Sequence, residues 1–488
     1  MKNPIVSIVL PLRAILALIA CVVSLSCGSS GNSNALAPPG ISTVVITNIF
    51  PAITPPTSSR AQAVAIQADG KIVAAGYADD GTKNVFALAR YNSADGSLDP
   101  GFGTGGIVTT PVGSVDAEGR ALAIQTDGKL VAVGFSFNGS QEVFTLVRYN
   151  EADGSLDGAF GSGGVVTTAI GSLDDRAFAV AIQPDGKIVV AGYTSAIFNS
   201  AVQSSIAVVR YNTDGSLDTA GFGTNGVVIT TPDAVSASGA AANGLVIQPA
   251  DQKLVVAGVA SGAPVTIGST TIYEDTLLVA RYNPNGSVDA TWNGGNPSNL
   301  TGLVTTAIGT AYEKDEASAV AIDQNGKVVV AGSTYVTLRT LAVVRYNTDG
   351  SLDTTFNGTG KVSTTIQVNA GATALSLSTN AQLVEQIVVA GVGYNNTYPE
   401  FILARYNPTG QLDPTFGSGG TVFTEIMYGA EAFGLAIQSD GQPIAAGYSH
   451  GFPQSPPQPL PPQQPDMFTL VRYTTSGIVD TTFPPPPP

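Results

Sequence analysis

One phrase, Arg-Tyr followed by a glycine turn, an aspartate and an aromatic residue, recurs seven times along this chain of 488 residues. Its first copy runs from Arg90 to Asp99, with Phe102 shortly after it. The arginines of successive copies lie 58 to 71 residues apart. A unit that returns at such a spacing indicates a repeat architecture, in which each unit buries its apolar surface against its neighbours. The chain is therefore predicted to form one large repeat domain.

The composition favours strands and tight turns over helices. Hydrophobic residues make up 43% of the chain, charged residues only 12%, and 56 residues are glycine. Side chains that favour helices are not clustered, whereas β-branched residues and turn residues alternate throughout. An all-β fold is the prediction.

The second repeat illustrates how one unit is built. Four segments rich in β-branched and aromatic residues are found at 121–125, 129–134, 144–149 and 165–168, with Asp127-Gly128 between the first two and Asp153-Gly154 between the last two. Because Asp-Gly supplies the positive φ angles of two-residue hairpin turns, each strand is expected to pair antiparallel with the next. Four such strands make one blade of a β-propeller.

Seven repeats predict a seven-bladed β-propeller of four-stranded antiparallel blades over residues 41–483. The last repeat ends at Phe483, one strand short, and a proline tail follows at 484–488. The segment Ser42–Asn48 reads like the fourth strand of the other repeats, so we expect it to pair beside Arg472 and complete the last blade. Closure by both chain ends removes open sheet edges, which invite aggregation.

Four short motifs recur with the repeat: Ile-Gln-x-Asp-Gly-Lys, Val-x-Ala-Gly, Arg-Tyr-Asn and Gly-Ser-Leu-Asp-x-x-Phe-Gly. Through them the chain resembles the delta-60 repeat family of exported bacterial proteins over about residues 60–483. The resemblance implies a propeller fold and implies no particular ligand. Three places depart from the pattern: Asp251-Gln252 lacks the glycine, Leu377-Ser378 replaces Ile-Gln, and Trp292 replaces the phenylalanine.

The N-terminal segment is typical of an export signal. Residues 1–26 hold a short basic start and an apolar run that is too short for a membrane span. Cys27, after small residues and before a Gly/Ser-rich tether at 27–40, resembles the lipidated cysteine of bacterial lipoproteins. Cys21 is the alternative processing site, and a plain exported protein is the alternative to an anchored one. The expected location is the outer membrane or cell surface, with the lipid holding the domain to the membrane.

Charge and rare residues exclude several classes of function. The formal net charge is −15, so the concentrated basic face that nucleic acid binding requires is not expected. Both cysteines lie in the leader region, which leaves the domain without a disulfide or a thiolate zinc site. His450 is the only histidine, which excludes a histidine-based triad or metal cluster; we interpret it as an exposed loop residue.

Each repeat arginine is followed eight or nine residues later by an aspartate. A pair that occurs seven times cannot be a single active site, so we interpret it as fixing the turn between third and fourth strands. Calcium at these acidic turns is the alternative, although each turn has few ligands for a dedicated site. No other cofactor is predicted. The pairs are Arg90 and Asp99, Arg148 and Asp157, Arg210 and Asp218, Arg281 and Asp289, Arg345 and Asp353, Arg405 and Asp413, and Arg472 and Asp480.

Function is expected where the repeat stops repeating. The segments that enter each first strand carry charges that differ from repeat to repeat, at what would be the mouth of a central channel. Ion pairing between neighbouring blades is one interpretation, and a site for a polar ligand or a cation is the other. The candidate residues are Arg60, Glu118, Asp174, Asp175, Arg176, Glu316 and Glu431.

These observations favour a surface-tethered module that binds or scaffolds an extracellular protein or a polysaccharide. A carboxylate-dependent glycan hydrolase or lyase at the channel mouth is an alternative, since glycoside cleavage needs only two acids at a set separation. A purely structural surface protein is the third hypothesis.

Overall fold

The computed structural model describes residues 44–53, 57–198, 201–231, 237–267, 270–296, 301–309, 314–335, 338–366, 368–380, 384–395, 398–426, 429–450 and 465–483. The predicted signal peptide at 1–26, the tether at 27–40 with Cys27, and the tail at 484–488 lie outside these residues. No helix in the described part of the chain is long and apolar enough to cross a membrane.

The described residues form 28 strands and no helix, which confirms the all-β prediction. A short strand, β1 (Val45–Thr47), precedes the repeats. The first three repeats contain β2 (Ser59–Ile66), β3 (Ile72–Asp79), β4 (Asn84–Tyr91), β5 (Ile107–Thr110), β6 (Ala117–Ile124), β7 (Leu130–Phe137), β8 (Glu142–Tyr149), β9 (Val165–Thr168), β10 (Asp175–Ile182), β11 (Ile188–Phe198), β12 (Ala201–Tyr211) and β13 (Val227–Thr230). The next two contain β14 (Ala237–Ile247), β15 (Leu254–Ile267), β16 (Thr270–Tyr282), β17 (Leu303–Thr306), β18 (Glu316–Ile322), β19 (Val328–Tyr335), β20 (Arg339–Tyr346) and β21 (Lys361–Thr364). The last two contain β22 (Val368–Thr379), β23 (Glu385–Tyr394), β24 (Pro399–Tyr406), β25 (Thr421–Thr424), β26 (Ala430–Ile437), β27 (Pro443–His450) and β28 (Asp466–Arg472).

Strands pair antiparallel with their sequence neighbours, as the turn chemistry predicts. Five sheets have four strands, and an eight-stranded sheet joins the third and fourth repeats through one parallel pair, Ser204 with Gly239. The N-terminal strand β1 pairs antiparallel with β28, with Val45 opposite Leu470. In the first repeat, β2 also packs against β26 and β27 of the last.

The turns between first and second strands are longer than the two-residue hairpin expected from Asp-Gly. In the second repeat the Gly128 amide donates to the Gln125 carbonyl at 2.9 Å, and Gly128 alone in this turn takes a positive φ, 84°. Asp127 instead accepts from the Lys129 amide at 3.2 Å, so its side chain stabilises the turn without a left-handed backbone.

Each repeat therefore has two distinct ends. The first-to-second and third-to-fourth connections lie at one end, here called the turn end. The second-to-third loop and the connection to the next repeat lie at the other, called the loop end. This assignment follows directly from antiparallel pairing, in which Arg60 lies opposite Tyr77 and Ile66 opposite Ile72.

The tyrosine of each Arg-Tyr phrase connects neighbouring repeats through the core. Its ring is fully buried, and its hydroxyl group lies 2.7 to 2.9 Å from a threonine hydroxyl at the end of the preceding fourth strand. Burial raises the pKa of Tyr282 to about 12, despite the hydrogen bond with Thr230. In the first repeat the partner of Tyr91 is Thr47 on β1. Thus β1 supplies the same contact as the fourth strands β5, β9, β13, β17, β21 and β25.

Candidate functional site

The repeated Arg and Asp lie together at the turn end of every repeat. In all seven pairs the arginine Nε donates to the aspartate Oδ2 at 2.6 to 3.0 Å. Each guanidinium also stacks on the aromatic residue that follows, at 4.3 to 4.8 Å from the ring centroid. Trp292 takes this role in the fourth repeat, beneath Arg281.

The same arginines reach into the following repeat. Arg148 Nη1 donates to the Thr213 carbonyl at 2.5 Å, and Arg281 Nη1 to the Thr348 carbonyl at 2.6 Å. Such charge-assisted bonds to backbone fix one repeat against the next. Across the described ranges, no three His, Cys, Asp or Glu side chains come together in a group that could hold a metal ion.

The acids of these pairs have lowered pKa values. Burial acts to raise the pKa of Asp289, but hydrogen bonds from Thr291 and Lys253 and the charge of Arg281 outweigh it and hold the pKa at about 2. A carboxylate that accepts several such bonds remains ionised far below neutral pH. The turn-end pairs therefore have the properties of permanent structural ion pairs.

The loop end carries a different set of residues. At the start of four first strands a charged side chain lies opposite an aromatic one on the second strand. These cross-strand partners are Arg60 and Tyr77, Glu118 and Phe135, Arg176 and Tyr193, and Glu431 and Tyr448. A register shift immediately after each position bends the strand there.

Arginines and aromatic rings alternate along this end from the last repeat to the third. The Arg60 guanidinium lies 4.2 Å from the Tyr448 ring centroid. Arg120 lies 5.6 Å from the Tyr77 ring and 5.4 Å from the Phe135 ring. We call this series the Arg–aromatic row, which consists of Tyr448, Arg60, Tyr77, Arg120, Phe135, Arg176 and Tyr193. Arg176 lies 4.6 Å above Phe135 and is the cross-strand partner of Tyr193.

Each arginine of the row has one carboxylate partner. Arg60 Nε donates to Asp466 Oδ2 at 2.6 Å, and Arg176 Nη2 donates to Glu142 Oε1 at 2.8 Å. Arg120 pairs with Glu118 on its own strand. The row therefore combines ring faces with guanidinium and carboxylate groups without a large excess of either charge.

The row is only partly accessible to solvent, because Tyr77 and Tyr193 are half-buried and Phe135 and Tyr448 are buried. The side chains of Arg60 and Arg176 are each 36% exposed, and that of Arg120 is 26% exposed. Burial raises the pKa of Tyr77, and the negative charge of Glu118 raises it further. Burial likewise raises the pKa of Tyr448, with Glu431 adding to the effect. At neutral pH both phenols are therefore protonated hydrogen-bond donors.

The remaining predicted residues separate from the row. Asp175 is fully buried and accepts hydrogen bonds from the Ile170 amide at 2.7 Å and the Thr194 hydroxyl at 2.6 Å, so it fixes its own loop. Asp174 accepts from the Glu142 amide at 3.0 Å. Glu316 pairs with Arg339 at 3.4 Å in the fifth repeat.

The loop end is asymmetric. The positions equivalent to Arg60 in the fourth and sixth repeats are Ala241 and Gly371, and their cross-strand partners are Val259 and Val392. Pairs of a charged and an aromatic side chain therefore occur in the last repeat and the first three, whereas the fourth and sixth repeats carry smaller side chains at this position.

Several residues of this end were not predicted from the sequence. His450 ends β27 instead of lying in a loop, and its Nδ1 lies 2.7 Å from Asp466 Oδ1. The interpretation of His450 as an exposed loop residue is wrong, because its side chain is 33% exposed and held by this bond. Arg120 lies two positions after Glu118 on the same strand. An alignment of the repeats would have shown that the residue at this position varies from repeat to repeat.

Six segments of the chain match one family model, described as "Domain of unknown function (DUF5122) beta-propeller". The matched residues are 67–102, 125–160, 183–220, 250–291, 324–356 and 386–416. A search of curated proteins found no match.

Solved structures show distant similarity. An ulvan lyase of polysaccharide lyase family PL25 is 12% identical, with 83% of this chain and 91% of that chain covered and a TM-score of 0.46. The polysaccharide lyase Uly1 is 11% identical, with 90% and 93% covered and a TM-score of 0.41. The GH93 α-L-arabinofuranosidase of Fusarium graminearum is 10% identical, with 72% and 92% covered and a TM-score of 0.41. At these scores the similarity carries no argument about function. From its repeats and its sheets, the chain is a β-propeller repeat protein, similar over six segments to a family of unknown function.

Proposed function

We propose that this chain is a seven-bladed propeller, closed by β1, that binds a polysaccharide at the loop end across the Arg–aromatic row. The observation that carries the proposal is the row itself, in which three partly exposed arginines lie beside the half-buried rings of Tyr77 and Tyr193 and the buried rings of Phe135 and Tyr448. The exported, lipid-anchored location predicted from residues 1–27 would place this surface outside the cell, where polysaccharides are abundant partners.

Closure rests on the position of β1. Thr47 contacts Tyr91 as the fourth-strand threonines contact the tyrosine of the next repeat. Together with the packing of β2 against β26 and β27, this supports a ring in which β1 serves as the last fourth strand.

The ligand class follows from the chemistry of the row. Sugar rings present apolar C–H faces that pack on aromatic rings, and hydroxyl groups that bond to guanidinium, carboxylate and phenol groups. The three arginines are each neutralised by Asp466, Glu118 or Glu142, and Glu431 adds another acid. A strongly anionic polymer would meet these carboxylates, so the expected ligand is a polysaccharide of low charge.

Catalysis has less support from the same groups. A tyrosine base would require a lowered pKa, whereas burial and Glu431 raise that of Tyr448. A glycosidase acid requires a raised carboxyl pKa next to a second acid. Burial raises the pKa of Glu385, and the charge of Asp323 raises it further, but both acids lie at the turn end, away from the row, where Glu385 accepts from the Gln324 amide at 3.2 Å.

Binding can be tested by affinity electrophoresis of the purified full-length chain through gels that contain neutral or uronate-rich polysaccharides. Arg120→Ala should weaken retention by about tenfold, because it removes a charged hydrogen-bond donor from between two rings. Arg339→Ala is the matched control: Arg339 is also at the loop end, is 33% exposed and pairs with Glu316, but lies outside the row.

Equal loss in both variants, or no retention on any polysaccharide, would contradict the proposal. Release of shorter or unsaturated products during the same incubation would favour the hydrolase or lyase hypothesis instead.

A further inference from the structure

A cavity of about 660 Å³ opens at the turn end between the sixth and seventh repeats. It is lined by Ser378, Gln386 and Arg405 from one repeat and by Ile437 and Gln438 from the other. This volume is within the range of about 300 to 1,000 Å³ that small-molecule sites occupy. The cavity is at the opposite end of the repeats from the Arg–aromatic row.

The cavity occurs where the repeat loses a glutamine. In the second, third and fourth repeats a glutamine Oε1 accepts from the repeat arginine: Gln125 from Arg148 at 3.2 Å, Gln183 from Arg210 at 3.3 Å, and Gln248 from Arg281 at 3.4 Å. The sixth repeat has Ser378 at this position. Serine is too short to occupy the same space, so the wall of the cavity includes the Arg405 guanidinium.

The charge of the site differs from that of the other repeats. In the first five repeats a lysine joins the arginine on the aspartate, as Lys71 does on Asp99 at 3.0 Å. In the sixth repeat Gln386 takes that place, and its Nε2 donates to Asp413 Oδ2 at 2.6 Å. Arg405 then faces Asp413 without a lysine, and Asp440 of the seventh repeat also lines the cavity, so the local charge is not positive. The site therefore lacks the excess positive charge that would favour an anion.

Two further features define the ligand. Gln438 Oε1 has no hydrogen-bond partner among the described residues, as is also true of Gln67 Oε1 at the same position of the first repeat, and a hydroxyl donor in the cavity would satisfy it. Leu377 and Ile437 supply apolar wall between the polar groups. A suitable ligand thus offers an oxygen acceptor to Arg405, a hydroxyl donor to Gln438, and an apolar face.

We propose that this cavity is a second binding site, for a neutral, hydroxyl-rich small molecule of the size of one or two sugar rings. Its oxygen takes the place at Arg405 that a glutamine of the protein fills in other repeats. The proposal does not depend on polysaccharide binding at the loop end, since no residue is shared between the two sites.

Isothermal titration of the full-length chain with a panel of neutral mono- and disaccharides tests the proposal. At least one sugar should bind with 1:1 stoichiometry at this site. Ser378→Gln restores the glutamine of the repeat and occupies the space beside Arg405, so it should weaken that binding by at least about tenfold without lowering the melting temperature. Gln438→Leu removes the unpartnered acceptor at similar volume and should also weaken binding.

The control is Ala68→Gln, which adds a glutamine to an exposed turn at the same end of the first repeat, away from the cavity. It should bind as the unmodified chain does, and so should Arg120→Ala at the loop end. The proposal is overturned if no neutral sugar in the panel binds, if Ser378→Gln binds unchanged, or if glucuronate binds more tightly than glucose. Loss of binding in Arg120→Ala alone would assign the sugar to the loop end and overturn this site while supporting the other.

Discussion

The Thr47 hydroxyl of β1 lies 2.9 Å from the Tyr91 hydroxyl in the core of the first repeat, and both side chains are buried. Thr168 and Tyr211 make the same contact at 2.9 Å between the second and third repeats. A strand from the N-terminal end of the domain thus occupies the position of a fourth strand beside β28.

Thr47→Val should therefore destabilise the fold as much as the equivalent change between two internal repeats. Valine has the shape of threonine but leaves the buried Tyr91 hydroxyl without its partner, which costs about 1 to 3 kcal/mol. Denaturant unfolding of the full-length chain should give similar losses for Thr47→Val and Thr168→Val. Thr167→Val, at an exposed position of β9, should change the free energy of unfolding little. A negligible effect of Thr47→Val alone would argue against closure by β1.

The glycine of the Val-x-Ala-Gly motif should not tolerate a side chain. A Cβ on Gly192 would lie 1.9 Å from the Arg176 carbonyl oxygen on the neighbouring strand, a distance that only backbone movement could relieve. We expect Gly192→Ala to cost more than about 3 kcal/mol or to prevent folding, since overpacking here cannot be absorbed by a side-chain rotation. Gly158→Ala is the control, because its Cβ would meet no atom within 4 Å. Circular dichroism melts would compare the two, and equal melting temperatures would contradict the packing described.

Acid should weaken the turn-end ion pairs. The pKa of Asp289 is about 2 in the folded chain, below its ordinary value of 3.8. A lowered pKa adds stability that is present when the pH is above the pKa of the unfolded chain and is lost as the pH falls from about 4 through 2. A shift of this size corresponds to about 2 kcal/mol of unfolding free energy.

Asp289→Asn should accordingly be less stable than the unmodified chain at pH 7, and the difference should shrink between pH 4 and 2. Urea unfolding at several pH values measures it. Asp185→Asn, whose side chain is 57% exposed, should change the free energy of unfolding little. A difference for Asp289→Asn that stayed constant down to pH 2 would show that its charge does not contribute.

Membrane attachment should depend on Cys27. If Cys27 carries the lipid, Cys27→Ala should move the protein from the membrane to the soluble fraction of cells that process bacterial lipoproteins, because a bound acyl chain supplies the membrane affinity. Cys21→Ala should remain membrane-bound. The opposite result would assign processing to Cys21. If both variants stay in the membrane fraction, lipidation is contradicted at both positions.

The sequence could predict the strands and turns because they depend on local patterns. Segments 144–149 and 165–168 match β8 and β9 closely, and the Asp-Gly pairs mark connections between strands. The Arg and Asp of each repeat are also close in sequence, eight or nine residues apart, so their pairing could be proposed from spacing. Their stacking on Phe102 and its equivalents, which belong to the same phrase, was found only in the structure.

The candidate site could be predicted only in part. Arg60, Glu118, Arg176 and Glu431 were chosen because they vary between repeats, and all four lie at the loop end beside aromatic rings. Their partners could not be predicted, because Arg60 and Asp466 are 406 residues apart in the chain. Asp175 shares the same sequence region yet is buried in its own loop, a difference that no local pattern indicates.

The sequence by itself determined a repeat protein of antiparallel strands, since periodicity, turn residues and the Arg-Tyr phrase act over a few residues each. Only the tertiary structure decided which side chains meet at the loop end, where Arg120 lies between Tyr77 and Phe135, and that Ser378 leaves a cavity beside Arg405. These contacts form between strands and between repeats, and their distances depend on how whole sheets pack against one another.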